Sequence, residues 1–470
     1  MLRAIKNLGQ SSLAWMLLGF SAFYLVFAFP ISFFRHDDWL MIGNVVRIIP
    51  QNWEFLFQSH LVFNDTAEIW FFRPWFKLIL YLLFQTMGYH YYGWLVVNLL
   101  FTLGALLLGY LAISEFTGST KRALLFVSLF VVSLHFHFAS LVWVGEGTMN
   151  CPQIFLLFFN LYCFSKFLNA STQTAKTSFY LLGIVAFVFS LGFKEAAIFH
   201  LPFLGAILFG GSLAKKFSFL KKSISLLPYF FIGVGYLYFR LYLLPFNPGY
   251  KPQMVLSWLI LPATYLLISF FIPIFCLLLG TLNSKIKPSE YFKGMLSRVG
   301  YAIFFIPFFI TYVGHGFFSP GWLLCPGFYL VFLIGLSLPT PLLNKKLVGT
   351  SLVFTGLLSG VIVFYQVNKL SWLSWHKPQR QILKIVEDVG TSQTKTLQIF
   401  DCMAADKNET SVYRVVGYPS SIQEIFWLNH KVLPEIQILP CSEARRSVAS
   451  LTPNIIKLRW SFPEFTVLTH

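Results

Sequence analysis

Residues 93–114 read GWLVVNLLFTLGALLLGYLAIS, a run without a single charged side chain. A helix of about 20 apolar residues is long enough to cross the hydrocarbon core of a bilayer. Inside a bilayer the backbone must satisfy its own hydrogen bonds, so only helices and closed barrels can span it. Barrel strands alternate apolar and polar residues, whereas this run is continuously apolar. The stretch therefore predicts a transmembrane helix.

Similar segments recur along the chain, and together they predict the class of protein. Of the 470 residues, 56% are hydrophobic and only 11% are charged, against roughly one quarter charged in soluble proteins. This composition excludes soluble enzymes and disordered chains. We predict an all-α polytopic membrane protein with about eleven transmembrane helices. The eleven segments are 13–34, 93–114, 123–144, 151–168, 178–193, 196–214, 224–244, 255–280, 299–314, 322–340 and 347–367.

The basic residues indicate the orientation. If the N-terminus is cytoplasmic, the segments on that side carry 16 basic and two acidic residues, whereas the outer loops carry seven of each. This asymmetry is the positive-inside pattern. The net charge of +17 thus reflects topology and attraction to anionic lipid, and it does not indicate binding to nucleic acid. An odd number of spans places the C-terminal tail outside, opposite the N-terminus.

The tail has an ordinary, mixed composition. We divide the chain into a transmembrane part, residues 1–368, and a small extracytoplasmic α/β domain, residues 369–470. Thr396–Phe400 and Val412–Val416 resemble strands, and Pro378–Val389 has the pattern of an amphipathic helix. Cys402 and Cys441 form a disulfide or remain two free thiols. The first apolar run lacks a small-residue cleavage site and is expected to be a retained anchor.

The first outer loop, residues 35–92, contains most of the acidic candidates. It begins with Arg35-His36-Asp37-Asp38-Trp39. Two adjacent carboxylates repel each other, which raises the pKa of one of them and suits base catalysis or cation binding. The alternative is a solvated turn beside the span. Asp65 and Glu68 are further acidic candidates in the same loop.

The middle of this loop is rich in apolar and aromatic residues. Residues 40–58 and 70–88 carry apolar and aromatic side chains at helical spacing, interleaved with a few charges. This pattern predicts interfacial helices lying on the bilayer, where a lipid-linked substrate would arrive.

Several basic residues are expected on the outer side. Lys194 interrupts a long apolar stretch, and a cation there is costly and usually functional. Its alternatives are a structural pair with Glu195 or a contact with a lipid headgroup. Arg240 lies inside the outer end of the seventh span and could snorkel, and His315 could be a simple loop residue.

The order of these parts resembles the GT-C superfamily of membrane glycosyltransferases, which use polyprenyl-phosphate sugars as donors. The subtype that looks most similar is the bacterial branch related to protein O-mannosyltransferases and lipid A aminoarabinose transferases. The resemblance covers residues 10–370. It is carried by five motifs: His36-Asp37-Asp38-Trp39, Phe72-Arg73-Pro74, Tyr91-Tyr92-Gly93-Trp94 with Asn98-Leu99-Leu100, Phe193-Lys194-Glu195-Ala196-Ala197, and Ser319-Pro320-Gly321 with Cys325-Pro326-Gly327.

The resemblance implies an inverting transfer of a sugar from a polyprenyl-phosphate donor to an acceptor hydroxyl on the extracytoplasmic face of a bacterial plasma or inner membrane. The acceptor is a protein, lipid or glycan. The catalytic base falls on Asp37. Asp38 would orient hydroxyl groups or bind a metal, or else act as a helix cap or salt-bridge partner of Arg35. The donor phosphate needs cations, and the candidates are Arg35, His36, Arg73, Lys194, Arg240 and His315.

Metal-dependent relatives bind a divalent ion, Mg²⁺ or Mn²⁺, through a second acidic motif in the next outer loop. Here that loop offers Gly145-Glu146-Gly147. A hard cation needs several oxygen ligands, so a solvated loop glutamate is the simpler interpretation of Glu146.

Two other functional classes stay open at this point. A polysaccharide polymerase or ligase uses the same lipid carrier, but it usually has its key residues in a loop late in the chain. A non-catalytic transporter would place ionisable residues near the middle of several spans, whereas here they gather at one face.

The topology can be tested directly. We expect reporter fusions at His470 and near Lys216 to report opposite sides of the membrane, because the basic excess places Lys216 in the cytoplasm. Activity of both fusions on the same side would show that one predicted span, in the region of Lys194, does not cross.

Overall fold

A computed structural model describes residues 12–469 apart from 59, 64–67, 71, 210–217, 244–323, 338–344, 370–371, 390–395, 404–410, 417–418, 431–432, 444–454 and 462. The predicted spans 255–280 and 299–314 lie outside the described residues, as do Asp65 and His315. The side chains of His36 and Glu68 are also outside the description.

Helices make up most of the described chain. They are α1 Ser12–Phe23, α2 His36–Ile48, α3 Pro74–Met87, α4 Tyr91–Thr117, α5 Thr120–Val132, α6 Leu134–Val142, α7 Val144–Asn169, α8 Gln173–Leu191, α9 His200–Phe209, α10 Phe219–Tyr238, α11 Leu324–Ser337, α12 Lys345–Lys369, α13 Trp372–Val389, α14 Val412–Val415 and α15 Pro419–His430. The strands are β1 His60–Phe63, β2 Glu68–Trp70, β3 Thr396–Asp401, β4 Glu435–Pro440, β5 Ile455–Ser461 and β6 Glu464–Thr469.

The chain is a multi-pass membrane protein. In the described residues, four helices are long and apolar enough to cross: Ser12–Ile31 (α1 with the two short turns after it), α4, α7 and α8. The predicted third span, 123–144, is not one straight helix, since α5 and α6 meet at a 60° bend. If this bent pair counts as one span the number is five. Shorter apolar helices lie in the sixth, tenth and eleventh predicted spans, and the total of eleven stays a prediction.

Aromatic side chains fill the space between the helices. The ring of Phe158 on α7 lies 6.0 Å from that of Phe126 on α5 and 4.9 Å from that of Phe328 on α11. Gly109 on α4 permits the close approach of Phe126, because a Cβ at Gly109 would lie 2.6 Å from the Phe126 ring. Since lipid tails are as apolar as these side chains, close packing of this kind is what holds the spans together.

The first outer loop contains the expected helices, α2 and α3, with a short 3₁₀ turn at Trp53–Leu56 between them. The antiparallel hairpin of β1 and β2 was not predicted. Lys77 on α3 is fully buried, and its ammonium donates to the carbonyls of Phe55 and Gln58 at 2.6 and 2.7 Å. This contact ties the turn to α3, so the loop is a packed unit.

Beyond the last span the tail forms a four-stranded sheet in the order β4-β3-β5-β6. The β3 strand pairs in parallel with β4 and β5, and β6 is antiparallel to β5. The strand predicted at Thr396–Phe400 and the helix predicted at Pro378–Val389 are present as β3 and α13. The prediction at Val412–Val416 was wrong, because these residues form the short helix α14.

Cys402 and Cys441 are joined in a disulfide, which decides between the two alternatives that the sequence left open. They lie directly after β3 and β4, the two strands that pair side by side. The bond therefore links the ends of neighbouring strands.

The tail packs against the first outer loop, with α15 lying on α2. The loop follows the first crossing and the tail follows the last one. The predicted topology places both segments on the same side of the membrane, and their contact agrees with it. The number of spans and the orientation stay predictions.

Candidate active site

The acidic pair lies at the start of α2, where the chain leaves the first span. The hydroxyl of Ser32 donates to the carbonyl of Val142, the last residue of α6. Arg35 is extended and caps α2, so that Asp37 and Asp38 fall in the first helical turn. Carboxylates are favoured at this position because the exposed N–H groups of a helix N-terminus carry partial positive charge.

Asp38 is completely buried and both of its oxygens are engaged. Oδ2 accepts the backbone N–H of Arg35 at 2.8 Å. Oδ1 accepts the indole N–H of Trp143 at 3.1 Å and the backbone N–H of Gly145 at 3.0 Å. Burial raises the pKa of Asp38 to about 7, although Arg35 and the indole N–H of Trp143 oppose the shift. The Asp38 carboxyl thus caps α2 and joins it to the start of α7. Of the roles that the sequence left open for Asp38, the structure shows the helix cap.

Asp37 differs from its neighbour in burial. Its side chain is partly exposed, whereas Asp38 is 0% exposed. Within the acidic pair, Asp37 is therefore the carboxylate that a substrate could reach.

Glu146 was expected in a solvated loop, and this expectation was wrong. It lies in the first turn of α7, and its side chain is only 13% exposed. Its Oε2 lies 3.8 Å from Nζ of Lys194 and accepts the amide of Asn150 at 2.9 Å. Asn150 completes the triangle, because its Oδ1 accepts Nζ of Lys194 at 3.2 Å. A buried ammonium needs such partners, since desolvating an unpaired charge is very costly.

Lys194 follows α8 in an extended conformation, and a 3₁₀ turn at Glu195–Phe199 comes next. Its carbonyl accepts the side-chain amide of Gln153 on α7 at 2.6 Å. The interruption of the helix at Lys194 therefore directs its ammonium toward α7. Lys194 pairs there with Glu146, and not with Glu195 as one alternative had it.

Glu195 instead pairs with Arg73. Nη2 of Arg73 donates to Oε2 of Glu195 at 2.8 Å. Arg73 directly precedes α3, and Trp75 in the first turn of α3 contacts the end of α8. The ring of Trp75 stacks on that of Phe189 at 4.6 Å, and the backbone N–H of Trp75 donates to the carbonyl of Gly192. Residues 122 positions apart in the sequence thus meet at the outer end of α8.

These contacts merge into one group, which we call the outer charged cluster. Arg35 lies over the ring of Trp143 at 5.0 Å, and burial lowers its pKa to about 10 against the opposing charges of Asp38 and Glu146. Glu195 also interacts with the charge of Arg240. The cluster comprises Arg35, Asp37, Asp38, Arg73, Glu146, Lys194, Glu195 and Arg240. Four of these side chains are basic and four acidic, so their formal charges balance.

The sequence did not identify three residues that organise the cluster, namely Trp143, Asn150 and Gln153. The one available signal was the position of the Gly145-Glu146-Gly147 turn in an outer loop. A requirement for Mg²⁺ or Mn²⁺ stays a prediction: in the described ranges no three His, Cys, Asp or Glu side chains are placed to hold a metal ion.

Comparison with known proteins identifies the fold. No protein-family model matches the sequence, and no curated protein matches it. The structure is similar to the crystal structure of ArnT from Cupriavidus metallidurans bound to undecaprenyl phosphate, with a TM-score of 0.52, 9% sequence identity and coverage of 96% of this chain and 93% of that chain. The apo form of the same ArnT gives a TM-score of 0.49 and 11% identity over the same coverage. The chain thus shares the fold of this ArnT over 96% of its length, and this is the fold that the sequence resemblance predicted.

Gly145 offers a test of the Asp38 joint. A Cβ at Gly145 would lie 2.1 Å from Oδ1 of Asp38, so we expect Gly145→Ala to destabilise the protein by about 1–3 kcal/mol. The measurement is thermal unfolding in detergent. Gly235→Ala on α10 is the matched control, because a Cβ there has nothing within 4 Å.

The same substitution in an Asp38→Ala background separates this clash from a general effect of alanine. Once the carboxylate is gone, Gly145→Ala should cost little more. Additive losses in the double variant would contradict the joint.

Proposed function

We propose that this protein is a membrane glycosyltransferase that moves a sugar from a polyprenyl-phosphate donor to an acceptor hydroxyl on the extracytoplasmic face, with inversion at the anomeric carbon. One observation supports this most strongly. The acidic pair and four basic residues, drawn from distant parts of the sequence, lie in one cluster at the outer ends of the helices. The fold around them is shared with a protein whose structure contains undecaprenyl phosphate.

In the proposed reaction, Asp37 is the general base. The acceptor oxygen forms a bond to the anomeric carbon while the bond from that carbon to the phosphate oxygen breaks. The acceptor proton passes to Asp37, and polyprenyl phosphate leaves with the bonding electrons. The partial exposure of Asp37 at a helix N-terminus suits this role, and its buried neighbour Asp38 holds the helix in place.

Negative charge develops on the leaving phosphate, and cations stabilise it. We assign this task to Arg73 and Lys194, with Arg35 and Arg240 nearby; His315 stays a sequence-based candidate. The guanidinium of Arg73 can bind two phosphate oxygens at once. In the structure Glu195 and Glu146 neutralise Arg73 and Lys194. An incoming phosphate would bind these cations beside the carboxylates or in their place. The two cations would then have an anionic partner both with and without the donor.

The first experiment replaces Asp37. We expect Asp37→Asn to lower the rate of glycosyl transfer by about 10²- to 10⁴-fold, the usual contribution of a general base. The measurement is transfer from a panel of polyprenyl-phosphate sugars by purified protein. Asp388→Asn, the same substitution at an exposed position on α13, is the control and should keep the wild-type rate. An Asp37→Asn protein with most of its activity would remove Asp37 from the mechanism.

A second experiment addresses the donor phosphate. We expect Lys194→Ala to lower kcat/KM for the donor by about 10- to 100-fold, the loss of one charge-assisted hydrogen bond, with little change in the KM of the acceptor. Lys166→Ala is the matched control, because Lys166 forms a comparable lysine–glutamate pair with Glu115 at the other end of α7.

Equal kinetic losses in these two lysine variants would mean that Lys194 acts only through stability. Unchanged donor kinetics in Lys194→Ala would remove it from the phosphate site.

A further inference from the structure

The helix that carries Asp37 is held from a second side, by the tail. Trp39, Gly43 and Arg47 follow one another at intervals of four residues, so they form one stripe along α2. All three contact the tail. Asp38 lies off this stripe and points to the start of α7. The helix is therefore clamped between the transmembrane bundle and the tail.

Gln379 on α13 makes the contact nearest to the acidic pair. Its Oε1 accepts the indole N–H of Trp39 at 2.7 Å, across 340 positions of sequence. Its amide nitrogen donates to the carbonyls of Val415 and Val416 in the tail. Trp39 is 0% exposed and Gln379 is 1% exposed, so no solvent competes for these bonds. Breaking a buried hydrogen bond leaves a donor or acceptor without a partner and costs free energy. The bond therefore holds Trp39 and Gln379 in one relative position.

Further along the stripe, Arg47 donates to Glu424 of α15 at 2.7 Å, and the Glu424 side chain is only 6% exposed. The close approach depends on Gly43, since a Cβ there would lie 2.5 Å from Cβ of Glu424. The Glu424 side chain of α15 therefore packs directly on the backbone of α2 at Gly43.

The tail helix α13 also contacts the transmembrane bundle directly. Arg380, next to Gln379, donates to the hydroxyl of Tyr91 at 2.5 Å and lies 5.3 Å from the ring of Phe33. Tyr91 begins α4, and Phe33 precedes the acidic pair. α13 thus also contacts the segment that leads into α2 and the start of α4.

We infer that the tail is a positioning element of the active site and that Gln379 is the positioning residue that transmits its hold to Asp37 through Trp39. This inference rests on the proposed function. Displacing a reacting group by about 1 Å can lower a rate by about 100-fold. Loss of the Gln379 contact should therefore reduce kcat more than it changes the KM of the donor, since Arg73 and Lys194, the two cations assigned to the phosphate, lie outside α2.

The chain offers a close control for this idea. Gln381 lies on the same helix and also forms hydrogen bonds through both ends of its amide: the nitrogen donates to the carbonyl of Phe465, and the oxygen accepts the N–H of Phe465. Both bonds stay within the tail. Gln379→Leu and Gln381→Leu therefore remove the same side-chain amide from the same helix, but only the first one removes a hydrogen bond to α2.

The experiment compares these two variants in full-length protein, by donor kinetics and by hydrogen–deuterium exchange of the amides of α2. We expect Gln379→Leu to lower kcat by about 10- to 100-fold with little change in donor KM, and to speed exchange in α2. Gln381→Leu should leave both close to wild type. Trp39→Phe and Gln379→Leu together should lose less than the sum of the two single losses, because each substitution alone already removes the bond.

The outcomes separate the two hypotheses. A wild-type protein without transfer activity on any donor would overturn the proposed function, while the exchange measurement would still test the clamp. Wild-type kcat and exchange in Gln379→Leu, or equal losses in Gln379→Leu and Gln381→Leu, would overturn the inference and leave the proposed function standing.

Discussion

The three hydrogen bonds accepted by the Asp38 carboxyl are the constraint on which the rest of the site depends. They join the first turn of α2 to Trp143 and Gly145, where α6 gives way to α7. Because the carboxyl is buried, its oxygens cannot exchange these donors for water, and the contact has one geometry. The orientation of α2 follows from it, and so does the direction in which Asp37 faces.

The second requirement is electrostatic. Lys194 and Arg73 are both largely buried, and buried cations are stable only beside anions. Glu146 and Glu195 supply those anions from different helical segments. Because each pair joins separate elements, the charges also determine how α3, α7 and the end of α8 come together. The same four side chains therefore balance their charges and join the ends of these helices, and the proposed site for the donor phosphate uses the two cations among them.

The tail adds a third constraint, one that reaches the site from the far end of the sequence. Its sheet is stapled by the disulfide between Cys402 and Cys441, and its helices α13 and α15 lie on α2. α2 thus contacts the transmembrane bundle on one side and the tail on another. Asp37 is the partly exposed member of the acidic pair.

The sequence by itself determined the membrane class, most helix positions and the place of the acidic pair, because hydropathy and helix capping are properties of neighbouring residues. It also located Lys194 as a residue under constraint. Only the tertiary structure decided which carboxylate is buried, that Glu146 pairs with Lys194, and that Arg73 meets Glu195. The tertiary structure likewise decided the bend between α5 and α6 and the packing of the tail against α2. These features depend on contacts between residues tens to hundreds of positions apart, and no local pattern encodes which distant partner a buried charge will find.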